Sequence, residues 1–119
     1  MQPSSPETYL LPSTPHVPNS ALPVVVYRNV LPLPHAQASA KDSLEKNEWI
    51  QGGVFKHYPT PHYHSLSHEC YAVFRGSTHY SLGKGPLDSE MEGLEIDLHA
   101  GDIVVQPVSL FCDGGSRPV

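Results

Sequence analysis

Residues that break regular structure recur so often in this chain that only short strands and one short helix fit between them. Thirteen prolines and nine glycines punctuate 119 residues, and each proline fixes φ and removes a backbone donor. Eight of the prolines lie within the first 34 positions, so positions 1–23, also rich in Ser, Thr and Asn, read as an extended or disordered segment. No apolar run approaches the roughly 18 residues that a membrane helix needs. A net charge of −5 argues against nucleic acid and anionic membrane as partners.

Beyond the proline-rich segment, Val24 to Val30 is β-branched, bounded by Pro23 and Pro32, and reads as an edge strand. Ala38 to Trp49 is the helix candidate, with Asp42 or Ser39 as its cap, Leu44 and Trp49 as a partial apolar face, and Gly52-Gly53 as its stop. Short strand-like runs follow: Val54–Tyr58, His62–His64, Glu69–Arg75, Thr78–Leu82, Leu94–Leu98 and Ile103–Val105. Turn residues separate them, including Gly76, Gly83-Lys84-Gly85-Pro86 and Ala100-Gly101-Asp102. Several strands of about five residues at intervals of about 8–12 indicate an all-β sandwich or barrel. The apolar residues of the runs at 69–75, 78–82, 94–98 and 103–105 are expected to face inward.

Two cysteines, Cys70 and Cys112, form no framework of the kind small secreted scaffolds use. The amino terminus has neither a basic n-region nor an apolar h-region, so a secretory leader is not expected and a cytoplasmic home is. Cys70 sits in an apolar run and reads as a buried thiol. Histidine is the informative excess, with eight residues, four of them between His57 and His68.

Chemistry concentrates in His62-Tyr63-His64-Ser65-Leu66-Ser67-His68-Glu69. On a strand, His62 and His64 share a face, and Tyr63 and Ser65 take the other. After a short turn, Glu69 opens the next strand and can bring a carboxylate to the same point. Two neutral imidazoles and one carboxylate suit a divalent transition metal such as Fe, Mn, Ni or Zn. The competing reading is a solvated His-rich loop. With eight histidines in 119 positions, a His-x-His pair alone is expected about 0.5 times by chance, so it carries no weight. Adding the Glu and Gly at their spacings lowers that to on the order of 0.002. His68 would be a neighbouring support or weak substitute ligand. His16 and His35 lie among prolines, and His79 and His99 read as ordinary half-exposed residues at strand ends.

The run His62-x-His64, four residues, Glu69, six residues, Gly76 resembles the first signature motif of the cupins, small jelly-roll barrels. The flanks from Trp49 to Phe55 and from Thr60 to Gly76 are similar to those of the YjlB-type cupins of bacteria and fungi. The resemblance covers roughly positions 24 to 107. It departs from the pattern at Lys56, where a Gly usually stands six residues before the first His. It implies a metal held by His62, His64 and Glu69.

The second cupin motif begins with Gly101 and Pro107 and then departs: Ser109 stands at the Gly, Cys112 at the ligand His and Ser116 at the Asn. The resemblance therefore implies a partial cupin domain over 24–107 and an unstructured tail over 108–119, as a truncation would leave. The expected fold is an all-β, incomplete jelly-roll sandwich with a proline-rich amino-terminal segment and one short helix. Its open edges invite association, of which a homodimer is the simplest form. Cys112 could ligate as thiolate, with coincidence the weightier account. Cupins with such a site include enzymes and plain binding proteins. Three functions follow as expectations: a metal-dependent enzyme of dioxygenase or isomerase type acting on a small molecule, a non-catalytic small-molecule or metal-binding module, and an inactive truncated product. His57 and Tyr71 are the nearest candidates for a general base.

Overall fold

Alternation of side chains builds the two faces of every strand, and burial follows that alternation. The computed structural model describes residues 5–12, 19, 21–51, 68–83 and 93–107, together with the backbone of 112–117. Among the described residues, seven strands and one helix occur in the order β1 (Glu7–Tyr9), β2 (Val24–Tyr27), α1 (Gln37–Lys46), β3 (Glu69–Ala72), β4 (Ser77–Leu82), β5 (Leu94–His99), β6 (Ile103–Gln106) and β7 (Cys112–Arg117). They form two antiparallel sheets, β1-β2-β6-β3 and β5-β4-β7.

Val24, Val26 and Val104 from the first sheet pack with Tyr80, Leu82, Ile96 and Leu98 from the second in one apolar core. The chain is thus mainly β, as its breaker pattern implies. In β4 every second residue is buried, Thr78, Tyr80 and Leu82, and in β5 Ile96 and Leu98 match them. The inward expectation holds for these strands but not for every apolar residue of β3 and β6. Cys70 pairs with Val105 and Ala72 with Ile103, on the face opposite buried Val104.

Two strand expectations need correction, the edge position of β2 and the unstructured tail. β2 is an interior strand, because β1 covers one side of it and β6 the other. β1 lies inside the proline-rich segment, which is extended and paired there. Asn19 adds a second tie, its Nδ2 donating to the carbonyls of Pro12 at 2.7 Å and Gly83 at 2.6 Å. The tail expected to be unstructured carries β7, whose Leu82–Cys112 and Ser81–Asp113 registers extend the second sheet beyond β4. An unpaired β4 edge offers a row of backbone donors and acceptors to any nearby segment, whatever its side chains.

The helix begins at Gln37, after Ala36 in extended conformation, and Ser39 acts from within the first turn rather than as the cap. The Ala36 N–H donates to Ser39 Oγ at 3.2 Å. Asp42 sits mid-helix and pairs with Lys46 at 3.1 Å. The helix stops at Asn47, before the expected Gly52-Gly53, where Glu48 takes φ +69. Its buried residue is Ala40, while Leu44 and Trp49 are half-buried. No helix among the described residues is long and apolar enough to cross a membrane. The expected strands at Val54–Tyr58 and His62–His64 lie outside the described residues.

Candidate functional site

Glu69 opens β3, and the antiparallel register sets it directly opposite Gln106 of β6, as Tyr71 lies opposite Val104. Directly opposite residues share a face of the sheet. Val104 at 0% and Gln106 at 3% exposure define that face as the inner one, so Glu69 and Tyr71 belong to it. The Tyr71 ring meets Tyr80 across the core with centroids 6.0 Å apart. The inner face therefore changes from apolar to polar along β3 and β6, ending in a carboxylate beside a carboxamide. Gln106 Nε2 is buried without a hydrogen-bond partner. A buried unmade donor costs about 1–3 kcal/mol.

Of the expected metal ligands, Glu69 is half-buried at this inner position and the neighbouring His68 is exposed. His62 and His64 lie outside the described residues, as do Tyr63, Ser65 and His57. Among the described residues, no group of three His, Cys, Asp or Glu side chains is arranged to hold a metal ion. Cys112 is placed at the backbone level only, opposite Leu82. Cys70 is half-buried, and burial pushes its thiol up to about 12. It is protonated at neutral pH and is a poor nucleophile.

The turn between β5 and β6 forms a second polar centre at the opposite end of β6. Asp102 accepts the Asn29 N–H on Oδ1 at 2.9 Å and the His99 N–H on Oδ2 at 2.9 Å. Arg28 Nη1 donates to Asp102 Oδ2 at 3.1 Å, and its Nε donates to Glu7 Oε2 at 3.0 Å. The Arg28 hydrogen bond, helped by one from Tyr9, holds the Glu7 carboxyl below its usual range. One carboxylate thus ties β1, β2 and the β5–β6 turn together.

Gly101 completes this junction. Its carbonyl accepts the N–H groups of Val30 and Leu31 at 2.8 and 3.1 Å, and its own N–H donates to Val73 at 2.8 Å. It has φ +105, and a Cβ there would meet His35 Cε1 at 2.8 Å. Both the backbone conformation and the close approach of the imidazole favour glycine. His35 is therefore packed against this turn rather than merely lying among prolines.

His79 departs from the expectation of an ordinary strand-end residue. Mid-strand on β4, its Nδ1 lies 2.7 Å from Asp97 Oδ1 and its Nε2 lies 3.3 Å from Glu95 Oε1. The hydrogen bond to Asp97, then that to Glu95, raises its pKa above the ordinary 6.5. Because the folded value is raised, the stabilisation is fully present below about 6.5 and is lost as pH rises through the folded value. Both carboxylates are more than half exposed, at 58% and 51%, so solvent screening limits the effect to about 1 kcal/mol or less. Asp97→Asn is expected to lower the His79 pKa and flatten this pH dependence. An NMR titration of the ring checks it, and an unchanged midpoint would contradict the ion-pair account. His99, by contrast, is exposed, with its Nδ1 3.9 Å from Asp102 Oδ2.

Sequence reasoning did not single out Gln106, Asp102 or Arg28. The strict alternation of Leu94 to Leu98 does place Glu95 and Asp97 on one face, but only strand register brings His79 between them. Compared with family models, with curated proteins and with solved structures, the chain has no match in any of the three.

Proposed function

We propose that this chain is a cupin-type jelly-roll domain that binds one divalent transition metal through His62, His64 and Glu69 and presents it to a small-molecule ligand. The observation that carries the reading is the position of Glu69, on the inner face of a two-sheet β fold and opposite the buried Gln106. A carboxylate there supplies the oxygen donor that a set of two imidazoles and one carboxylate requires. The orphaned Gln106 Nε2 fits a site meant to hold something more than protein atoms. Gly101 and Pro107, which bracket β6, support the jelly-roll assignment in the same way, since they stand where the second cupin motif begins.

A bound metal of this kind supplies Lewis acidity toward a coordinated oxygen. The chain's own residues provide the rest: Glu69 anchors from β3, and the apolar core below Tyr71 and Val104 keeps one side of the site dry. Binding is the function argued, with catalysis of dioxygenase or isomerase type as the second reading. Tyr71 shares the inner face with Glu69, which keeps it as a candidate base for that second reading.

Metal analysis of the purified protein beside a His62→Ala, His64→Ala double variant tests the assignment. Loss of ligands is expected to lower affinity by at least about 10–100-fold, the effect typical of losing only a supporting residue. Equal metal content in the two proteins would overturn it.

A further inference from the structure

We propose that β1 is an acid-released strap, hinged at Leu11 and Pro12 and latched beside β2 by the Glu7 carboxylate on the Arg28 guanidinium. β1 is three residues long and ends its sheet among the described residues. Its register sets Glu7 opposite Val26 and Tyr9 opposite Val24. Directly opposite residues share a face, and Val24 and Val26 are buried, so that face is the inner one. Glu7 is thus a carboxylate on the core side of a short end strand. An apolar residue there would hold the strand by burial at any pH, whereas a carboxylate grips an arginine fully only while ionised.

The two ends of the segment are held by different chemistry. At the far end, Leu11 packs against Gly83, where an added Cβ would come within 2.8 Å of Leu11 Cδ1. Asn19 Nδ2 donates to the carbonyls of Pro12 and Gly83. None of these contacts titrates. At the near end, Arg28 Nε donates to Glu7 Oε2 at 3.0 Å, and the Tyr9 hydroxyl donates to Glu7 Oε1 at 2.7 Å.

The titratable groups facing Glu7 are Arg28 just beyond β2, Tyr9 on its own strand and Asp102 from the β5–β6 turn. Arg28 does not depend on Glu7, since it also holds Asp102 Oδ2 at 3.1 Å and the Asp97 carbonyl. Protonating Glu7 therefore loosens the strap and leaves the rest of the junction in place. The arginine and tyrosine hydrogen bonds hold the carboxyl below its usual range. The latch is thus fully closed above the ordinary glutamate value of about 4.3 and is lost as pH falls through the folded value. Opening frees the side of β2 that β1 covers and lifts Tyr9 from the core it packs against.

Amide hydrogen exchange, read by NMR on the 15N-labelled protein and corrected for intrinsic rates, tests the latch. In the parent, the Glu7, Thr8 and Tyr9 amides are expected to lose more protection than those of Leu98 and Val104 between about pH 7 and about pH 3. At neutral pH, Glu7→Gln is expected to open β1 about 2–5-fold more often, the effect of losing a partly exposed ion pair. Its Leu98, Val104, Asn29 and His99 amides should be unchanged, which separates Glu7 from Asp102. Equal β1 protection in the parent and in Glu7→Gln would overturn the proposal. So would β1 amides that exchange together with Leu98 and Val104 throughout, or that lack protection already at neutral pH. The parent series needs no substitution, so it decides the matter even if the variant folds poorly.

Discussion

Asp102→Ala is expected to destabilise the fold by about 3 kcal/mol, chiefly the cost of leaving two backbone donors without their buried acceptor. The carboxylate is 7% exposed at its side chain and holds the Arg28 guanidinium. It also accepts the backbone N–H groups of Asn29 and His99. Removing it strands the two backbone donors, while Arg28 keeps Glu7 at 3.0 Å and the Asp97 carbonyl, which softens the loss. In a domain of this size, that corresponds to a fall in thermal midpoint of roughly 12 °C or more. Asp102→Asn keeps an acceptor oxygen and the shape but loses the charge, so an intermediate effect is expected. Thermal and urea unfolding of both variants check the order. A midpoint for Asp102→Ala within a degree or two of the parent would show that the junction of β1, β2 and the β5–β6 turn is dispensable.

Leu98→Ala is expected to cost about 2–5 kcal/mol, the range for truncating a fully buried leucine. Leu98 is 0% exposed and belongs to the one apolar core that both sheets share. A cavity there removes contacts from both sheets together, and neither sheet has a second core among the described residues to fall back on. Total stabilities of about 5–15 kcal/mol leave little margin against such a loss. Urea denaturation reads the difference directly, and the slope should stay constant if the folded and unfolded states keep their compactness. A cost below about 1 kcal/mol would mean that the surrounding side chains close over the space, against the close packing usual in protein interiors.

Among the described residues, strands were legible where alternation and turn residues act over short distances. Leu94 to Leu98 and Thr78 to Leu82 alternate in sequence, and their buried faces are the ones that the alternation implies. The helix was legible in place but not in its ends, because Ser39 can serve either as a cap or as a first-turn acceptor. The choice fell to the local bond from the Ala36 N–H. The edge assignment of β2 failed for a different reason. Whether a strand lies at an edge depends on what pairs with its second side, and β1 comes from a proline-rich stretch with little strand signal of its own.

For the candidate site, the sequence singled out Glu69 by its spacing from the two histidines, and that is a property of one continuous stretch. Gln106 lies 37 positions beyond Glu69 and has no local feature to mark it; only the β3–β6 register makes the two neighbours. Asp102 likewise reads as an ordinary turn residue until the fold brings Arg28 and two backbone donors to it from other strands. The sequence by itself determined the β character, the approximate strand positions and the candidate ligand run, since each follows from steric preference or side-chain period within a few residues. The tertiary structure alone decided the sheet order, the pairing of β7 with β4 and the polar junctions. Those depend on hydrogen-bond registers between segments tens of residues apart, and no local propensity encodes which donor meets which acceptor across such a separation.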